Sequence, residues 1–448
     1  MIDTETALAR CDDLVALARS LGADAADAVA RADSSESVTV RLGELEEVER
    51  TESEEIGLRV FVGKRSASIH TSDFAPEGLK ALAQRAVEMA RHAPEDPYAG
   101  LAEEQDLFTG EMPDLDLFDD THIEPAALRE AARATEEAAR AVEGVTNSNG
   151  GSASAGQAVV ALVTSEGFAR GYTGTGFSLS ANVIAGEGSS MQTDYASRSA
   201  RHHADLPSPE EIGTKAGERT VAKVNPGSVP SGRMPVVFDP RIGGGLLGHL
   251  IGAMGAPAIA RKASFLLGRE DEDLFDSGIR IVEDPLRVRG MRSRPFDGEG
   301  VASKPRALVE NGRIFGWLSN VASARQLGLG LTGHAARSGG GSPGVSASNG
   351  HLEAGEVTPE ALMADIADGL YVTGLFGQGV NMVTGDYSRG ATGFRIRNGE
   401  IAGPVAEITI AGNLLEMFRA MTPANDLEMH KSINVPTIRV DGMTVAGE

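Results

Sequence analysis

Cysteine is almost absent from this chain of 448 residues, and its scarcity excludes two kinds of stabilisation. Cys11 is the single thiol, so neither an internal disulfide nor a zinc site built from several cysteines can form. A reducing, cytoplasmic compartment fits this composition best. Hydrophobic residues make up 41% of the chain, so two or three domains can each bury a core without cross-links.

Long apolar runs and excess positive charge are also missing. No uncharged apolar run reaches the roughly 18 residues that a membrane-spanning helix needs, and no secretion signal opens the sequence. We therefore expect a soluble protein that is neither exported nor membrane-bound. The formal net charge is -23. Because binding to phosphate backbones depends on clustered Lys and Arg, we expect no direct nucleic-acid binding.

The first 224 residues show one order of predicted elements twice. Residues 1–92 and residues 123–224 each begin with a helix, continue with alternating strands and end with a second helix. Between them, residues 93–122 are rich in acids and proline and show no period, which predicts an acidic linker. The sequence thus predicts an N-terminal α+β domain, residues 1–224, with two similar helix/strands/helix halves.

The predicted elements of the two halves follow from hydrophobic periodicity and from glycine and proline punctuation. Helices are predicted at 4–21, 76–92, 125–142 and 209–224. Short strands are predicted at 37–42, 46–52, 57–62, 67–71, 158–164, 168–172, 177–185 and 191–198.

A second, β-rich domain is predicted for residues 228–448. A predicted strand at 235–238 leads into a glycine-rich helix at 241–254, which stops before a proline. Two Asn-Gly pairs, Asn311-Gly312 and Asn398-Gly399, separate alternating runs and predict hairpins. The stretch 338–350 contains several glycines and is predicted to be a flexible loop. The overall fold class is therefore α+β with a strand-rich C-terminal domain.

Several strings of the last domain, taken together and in order, resemble one known family. They are DPRIGGGLLGHLIGAM followed by ARKASFLLG, then PFDGEGV and TGHA, and then LFGQGVNMVTGDYSRGATGFRIRNGEI and PVAEITIAGNLLEMF. These strings, within residues 239–418, resemble the TldE (PmbA) branch of the TldD/PmbA metallopeptidase-like family, also called the "modulator of DNA gyrase" family. The N-terminal 224 residues match that family in length and organisation. The resemblance implies a C-terminal domain of TldD/PmbA type.

The glycine-rich helix is where the resemblance bears on catalysis. In the catalytic TldD branch this helix carries HExxxH, with two histidines for zinc and a glutamate that activates water. Here the hexad reads GGLLGH, so by this match Gly244 stands for the first histidine, Gly245 stands for the glutamate, and His249 is retained. The family's further ligand, a cysteine near the C-terminus, has no counterpart because Cys11 lies at the opposite end.

These differences imply that the chain has no catalytic residues and no metal site of its own. A catalytic zinc needs about three protein ligands with one open position, and hydrolysis needs metal-activated water and a base. Glycine supplies neither. The resemblance therefore places zinc in a TldD-type partner. We interpret His249 as a packed or hydrogen-bonded helix residue, and the alternative is a residual role at the subunit interface.

The segment 385–394 gathers Asp386, Tyr387, Ser388 and Arg389 in what the pattern predicts to be a glycine-bounded turn. A plain hairpin loop is one interpretation. The other is a segment that faces a cavity or the partner, where Asp386 and Arg389 pair or bind peptide backbone. The sequence leaves both open.

The leading hypothesis is a TldE-type subunit that joins a TldD-type catalytic subunit and helps enclose a chamber for small or unfolded peptides. A second hypothesis is a stand-alone homodimer that binds peptides as added strands at a sheet edge. Regulation of DNA gyrase, suggested by the family's other name, is a third. The fourth is an enzyme of unknown type that uses paired carboxylates with perturbed pKa values.

Overall fold

The computed structural model describes residues 2–270, 272–338 and 341–447, without the side chain of Ser189. Its α-helices are α1 Thr4–Ser20, α2 Pro76–His92, α3 Pro125–Arg140, α4 Pro209–Val221, α5 Pro240–Ala253, α6 Ala256–Ala260, α7 Val321–Leu327, α8 Pro359–Met363 and α9 Leu414–Arg419. Its strands are β1 Ala25–Arg41, β2 Glu44–Val62, β3 Arg65–Thr71, β4 Val145–Thr164, β5 Ala169–Ala185, β6 Gln192–Ala200, β7 Gly232–Phe238, β8 Ile281–Glu283, β9 Arg306–Glu310, β10 Arg313–Ile314, β11 Ala335–Ala336, β12 Gly344–Val345, β13 Gly350–Leu352, β14 Asp368–Phe376, β15 Asp386–Arg397, β16 Glu400–Asn413, β17 Met421–Pro423, β18 Ile433–Asn434 and β19 Ile438–Ala446. No helix within those residues has the length and apolar character needed to cross a bilayer.

The two N-terminal halves share a single six-stranded antiparallel sheet. Its order is β3-β2-β1-β4-β5-β6, so the first half supplies three strands and the second half supplies the other three. The central pair, β1 with β4, joins the halves from Asp27 opposite Thr164 to Val40 opposite Gly151. The predicted order of helix, strands and helix is confirmed in each half, and the α+β class with it.

The strands are longer and fewer than predicted. The predicted strands 37–42, 46–52 and 57–62 are parts of β1 and β2, and 168–172 and 177–185 are parts of β5. The alternation was hard to recognise because the inward positions of β1 are alanines, which pack under α1 and α2 and carry a weak hydrophobic signal. Glycines also interrupt the alternation in β5, so this one strand was predicted as two.

The linker segment 93–122 lies against the folded protein, with one 3₁₀ turn at Glu104–Asp106. Its leucines at 101, 107, 115 and 117 are buried. Leu107 forms an isolated antiparallel bridge with Val301, so the segment also contacts the C-terminal domain. Leu107 belongs to a hydrophobic cluster in which Val29 and Leu162 of the N-terminal sheet pack against Phe296 of the C-terminal domain.

The C-terminal domain is built around a closed ring of strands. The order β16-β15-β14-β7-β19 is closed by a further pairing of β16 with β19, and β17 extends it from β19. A second sheet has the order β10-β9-β8-β13-β18. Helix α5 packs into the large core that both sheets line. The strand-rich character expected for this domain is confirmed.

The two Asn-Gly hairpins are confirmed by their backbone angles. Asn311 and Gly312 have φ values of 51° and 77°, and Asn398 and Gly399 have 51° and 82°. Positive φ at both central positions is the type I′ pattern that favours this dipeptide.

The predicted flexible loop 338–350 is wrong at its C-terminal end, while Gly339 and Gly340 lie outside the described residues. Ser348 is fully buried and its hydroxyl donates to Glu283 at 2.8 Å. A buried carboxylate needs hydrogen-bond donors, and Ser348 supplies one to Glu283. This contact holds the end of the segment in place, and the glycine content of the sequence does not reveal it.

Four buried charged residues connect the N-terminal sheet to the C-terminal domain. Arg59 lies opposite Asp27 on the neighbouring strand and donates from Nε at 3.0 Å; a second nitrogen donates to Glu299 at 3.0 Å. Arg337 donates to the other oxygen of Asp27. The second oxygen of Glu299 accepts from the Val321 amide at 2.7 Å. We call these four side chains, Asp27, Arg59, Glu299 and Arg337, the inter-domain ion cluster.

Candidate functional site

Helix α5 begins where the sequence indicates a helix start. Asp239 is the N-cap and accepts from the Arg241 amide at 2.8 Å, and Pro240 occupies the first turn. The helix contains several glycines, which disfavour helical structure. Its three buried leucines, Leu246, Leu247 and Leu250, are each at most 2% exposed and anchor it in the core. Tertiary packing therefore holds a helix that intrinsic propensity would not.

The glycines of the hexad leave room on the other faces of α5. A Cβ at Gly244 would lie 3.4 Å from the Ile433 carbonyl oxygen, an ordinary contact. A Cβ at Gly245 or Gly248 would meet nothing within 4 Å. Steric crowding thus does not require glycine at these three positions.

Gly245→Ala is expected to stabilise the protein by about 1 kcal/mol, because alanine restricts the unfolded chain and no atom opposes its methyl group. Urea unfolding followed by circular dichroism measures this. Gly243→Ala is the matched control and should destabilise the protein, since its Cβ would lie 2.9 Å from Cγ2 of buried Val435. Equal effects of the two substitutions would contradict this assignment of the helix faces.

His249, the retained residue of the hexad, packs against an aromatic ring. Its imidazole meets the Tyr387 ring edge to face, with centroids 6.2 Å apart and an interplanar angle of 73°. Burial lowers the pKa of His249, and the positive charge of Arg389 lowers it further. The imidazole is therefore neutral at physiological pH, and the guanidinium nearby disfavours a second cation beside it.

The segment 385–394 is a strand and not the turn that the sequence pattern predicted. Asp386 to Phe394 belong to β15, which pairs with β14 and β16. Side chains alternate along a strand, so Tyr387 and Arg389 lie on the side of His249 while Asp386 and Ser388 point the other way. The glycines at either end suggested a turn. Gly385, with φ of 81°, does precede the strand after the turn at 382–384, whereas Gly390 lies within the strand and lets it pack closely under the Phe376 ring.

Asp386 and Arg389 do not pair with each other. Asp386 accepts from the Thr384 hydroxyl at 2.7 Å and from the Asn413 amide at 3.2 Å, and these bonds lower its pKa. Arg389 donates to the Phe376 carbonyl at 3.4 Å. Ser388 is exposed. The structure thus places two of the four predicted contact residues, Tyr387 and Arg389, beside His249.

Burial raises the pKa of Tyr387 to about 12, although Arg389 opposes this shift. Tyr387 is 2% exposed. The phenol of Tyr387 is therefore neutral at neutral pH; it can pack and donate a hydrogen bond, but it is not itself a base.

The donors around α5 do not fit a catalytic zinc ion. His249 is the only donor side chain of the hexad, and it faces a cation. In the part of the chain that the structure describes, no three His, Cys, Asp or Glu side chains lie close enough to share a metal ion. Cys11 is buried in the first half, and burial raises its pKa to about 12, so its thiol is not available as a ligand.

Sequence reasoning missed Thr384 and Asn413, which hold Asp386. Asn413 also caps α9 by accepting from the Leu415 amide at 3.1 Å. An asparagine before a run of helix-forming residues is a recognisable N-cap signal, so its position could have been found. Its hydrogen bond to Asp386 joins residues 27 positions apart, so only the folded structure reveals it.

Comparison with known proteins defines the class to which this fold and site belong. Three models of the PmbA/TldA metallopeptidase match the chain: domain 1 at residues 26–90, the central domain at 118–224 and the C-terminal domain at 231–447. The chain is therefore a metallopeptidase-like protein along most of its length.

The chain belongs to the PmbA/TldD family. It is 37% identical to "Metalloprotease PmbA" of Escherichia coli over 92% of this chain and 90% of that protein. It is 36% identical to "Metalloprotease PmbA homolog" of Haemophilus influenzae over 97% and 94%.

Solved structures show the same fold. A crystal structure from Bacteroides thetaiotaomicron, described as a candidate modulator of DNA gyrase, matches with a TM-score of 0.91 and 27% identity over 100% of both chains. TldE from Thermococcus kodakarensis matches with a TM-score of 0.86 and 21% identity over 98% of this chain and 100% of that one.

Proposed function

We propose that this chain is a non-catalytic, TldE-type subunit of a cytoplasmic zinc peptidase. In this proposal a TldD-type partner with an intact HExxxH supplies zinc, base and water, and the two chains enclose a chamber for small or unfolded peptides. The function of this chain is then to complete the chamber and hold the peptide while the partner cleaves it.

The observation that carries the proposal is the composition of α5. Of the three positions that match the two histidines and the glutamate of HExxxH, Gly244 and Gly245 lack a side chain, and His249 is a neutral imidazole packed on Tyr387 beside Arg389. Such a helix retains the fold of a peptidase without the groups that peptide hydrolysis needs. Relatives named metalloproteases support the peptidase setting.

Co-expression with a TldD-type relative tests the proposal. We expect the two chains to co-purify. The complex should cleave an unfolded peptide that this chain without its partner does not cleave, even when zinc is added. Changing the glutamate of the partner's HExxxH to glutamine should abolish cleavage, whereas His249→Asn in this chain should not. Cleavage by this chain alone, or failure of the two chains to associate, would argue against the proposal.

A free strand edge favours a second candidate, a stand-alone homodimeric protein that binds or regulates others. Strand β3 pairs only with Ile56–Val62 of β2, so among the described residues the outer edge of residues 44–53 has no strand partner. All ten of these residues are exposed. An extended peptide can add to such an edge. This candidate predicts peptide binding by the purified chain with no partner present, which fluorescence anisotropy would detect.

A further inference from the structure

A cavity of about 230 Å³ lies between the second N-terminal half and the C-terminal domain. Strand β6, helix α4, the start of α5 and the segment 426–435 form its walls. The volume corresponds to roughly eight water molecules. It lies at the opposite end of α5 from His249, about 13 Å along the helix from Pro240, and is therefore separate from the site described above.

The cavity gathers five Lys and Arg side chains beside four Asp and Glu side chains, in a protein whose net charge is strongly negative. Its basic lining residues are Arg198, Lys215, Arg219, Arg241, His430 and Lys431. Arg241 is compensated, because Asp239 and Asp194 each accept from it at 3.1 Å. Arg198 lies 3.8 Å from Glu428.

Two half-buried cations in the cavity have no carboxylate partner among residues 2–270, 272–338 and 341–447. Arg219 donates only to the Tyr195 carbonyl at 3.4 Å, and the Lys431 ammonium donates only to the Arg241 carbonyl at 3.1 Å. Each guanidinium has five N–H donors and each ammonium has three, so most of their donors remain available.

Four carboxylates, Glu211, Asp239, Asp426 and Glu428, line the cavity, and among the described residues none of them forms an ion pair with Arg219 or Lys431, although Asp239 attracts both. Both carboxylate oxygens of Asp426 accept from Thr437, at 2.8 and 2.7 Å. Glu211 lies on the exposed surface of α4.

The cations also repel each other. Burial lowers the pKa of Lys431, Asp239 opposes that shift, and Arg241 and Arg219 lower the pKa further. Burial and then Arg241 lower the pKa of Arg219, and the weaker effects of Asp239 and Asp194 only partly offset them. Positive groups that are partly desolvated and mutually repulsive are stabilised when an anion enters between them.

We propose that this cavity is a binding site for a small oxyanion, a carboxylate or a phosphate group, held by Arg219 and Lys431. Charge-assisted bonds from a guanidinium and an ammonium are the usual means by which proteins recognise both groups. The site does not depend on the peptidase role proposed above, because it uses neither the hexad nor a partner chain.

Calorimetric titration of the full chain at constant ionic strength tests the site. The probes are inorganic phosphate, N-acetylglycine, and N-acetylglycinamide as the uncharged counterpart. We expect phosphate or N-acetylglycine to bind and the amide not to bind. Binding of phosphate alone identifies a phosphate site, and binding of N-acetylglycine identifies a carboxylate site. Absence of binding by both anions overturns the proposal.

Variants locate the binding. Arg219→Gln and Lys431→Gln should each weaken it by at least about tenfold, since each removes a charged hydrogen bond. Arg129→Gln and Lys80→Gln are the matched controls, because both residues are exposed on other helices. Binding that is equal in all four variants overturns the proposal.

A charge-retaining variant separates binding from folding. Lys431→Arg should still bind the anion, whereas loss of binding in Lys431→Arg with an unchanged unfolding midpoint contradicts the proposal. Arg219→Gln should unfold at the same temperature as the parent chain or higher, because it removes a repelling charge. A clearly lower midpoint would assign Arg219 a structural role instead.

Discussion

Asp27→Asn is expected to lower the free energy of unfolding by about 3–5 kcal/mol, because it leaves two buried guanidinium groups with one carboxylate. Asp27 is fully buried, and Arg59 and Arg337 are 6% and 8% exposed. Burial alone would raise the pKa of Asp27, but Arg337 and Arg59 outweigh it and the pKa is lowered. The carboxylate is therefore ionised at neutral pH. Urea unfolding of the full chain measures the loss.

The matched control is Asp273→Asn, which removes the same charge from an exposed pair with Arg313. We expect no measurable change there, because solvent screens such pairs. Since the inter-domain ion cluster connects the two domains, Asp27→Asn should also increase proteolytic cleavage near their junction, residues 225–231. A stability loss no larger than that of the control would contradict the role assigned to the cluster.

Asp297→Asn is expected to remove a pH-dependent change of about 3 kcal/mol from the free energy of unfolding. Burial and then the charge of Glu299 raise the pKa of Asp297 to about 6, from 3.8. The folded chain therefore holds this proton more tightly than the unfolded chain, so the free energy of unfolding falls as pH rises from about 4 to 6. A shift of about two units at 1.36 kcal/mol per unit gives this magnitude.

The measurement is urea unfolding of the parent chain and the variant between pH 3.5 and 7.5. The variant cannot ionise at this position, so its stability relative to the parent chain should rise across the interval between pH 4 and 6. Backbone amides of Glu299, Val301 and Ala335 donate to Asp297, and the amide side chain keeps part of this set. A difference that stays constant with pH would show that the carboxyl is not shifted.

Local patterns were sufficient to predict much of the fold. Asn311 and Asn398 marked real hairpins because type I′ turns require positive φ at two adjacent positions. Proline at helix starts and hydrophobic periodicity marked α2, α3 and α4 within a few residues. The strand count failed where inward positions are alanine or glycine, because period-two alternation is then nearly invisible.

The candidate site was predictable only in part. The motif match located α5, and its helical span was confirmed. The match could not show that His249 packs on Tyr387, because residues 138 positions apart meet only through the packing of α5 against β15. The turn predicted at 385–394 failed for a related reason: pairing with two neighbouring strands overrides the local preference of glycine.

Neither the inter-domain ion cluster nor the cavity with Arg219 and Lys431 could be predicted from the sequence. Asp27 and Arg337 lie 310 positions apart, and Arg219 and Lys431 come from different domains. Charged residues usually lie on the surface, so a sequence alone assigns them there. Only the assembled fold shows which of them are buried, and whether a partner is present.

The zinc content of the purified TldD-type complex tests the central proposal most directly. The hexad GGLLGH and the packing of His249 predict that zinc is bound in proportion to the partner chain, that this chain purified alone binds none, and that His249→Asn leaves the metal content of the complex unchanged. Stoichiometric zinc on this chain alone, lost in His249→Asn, would contradict the proposal that the partner supplies the metal.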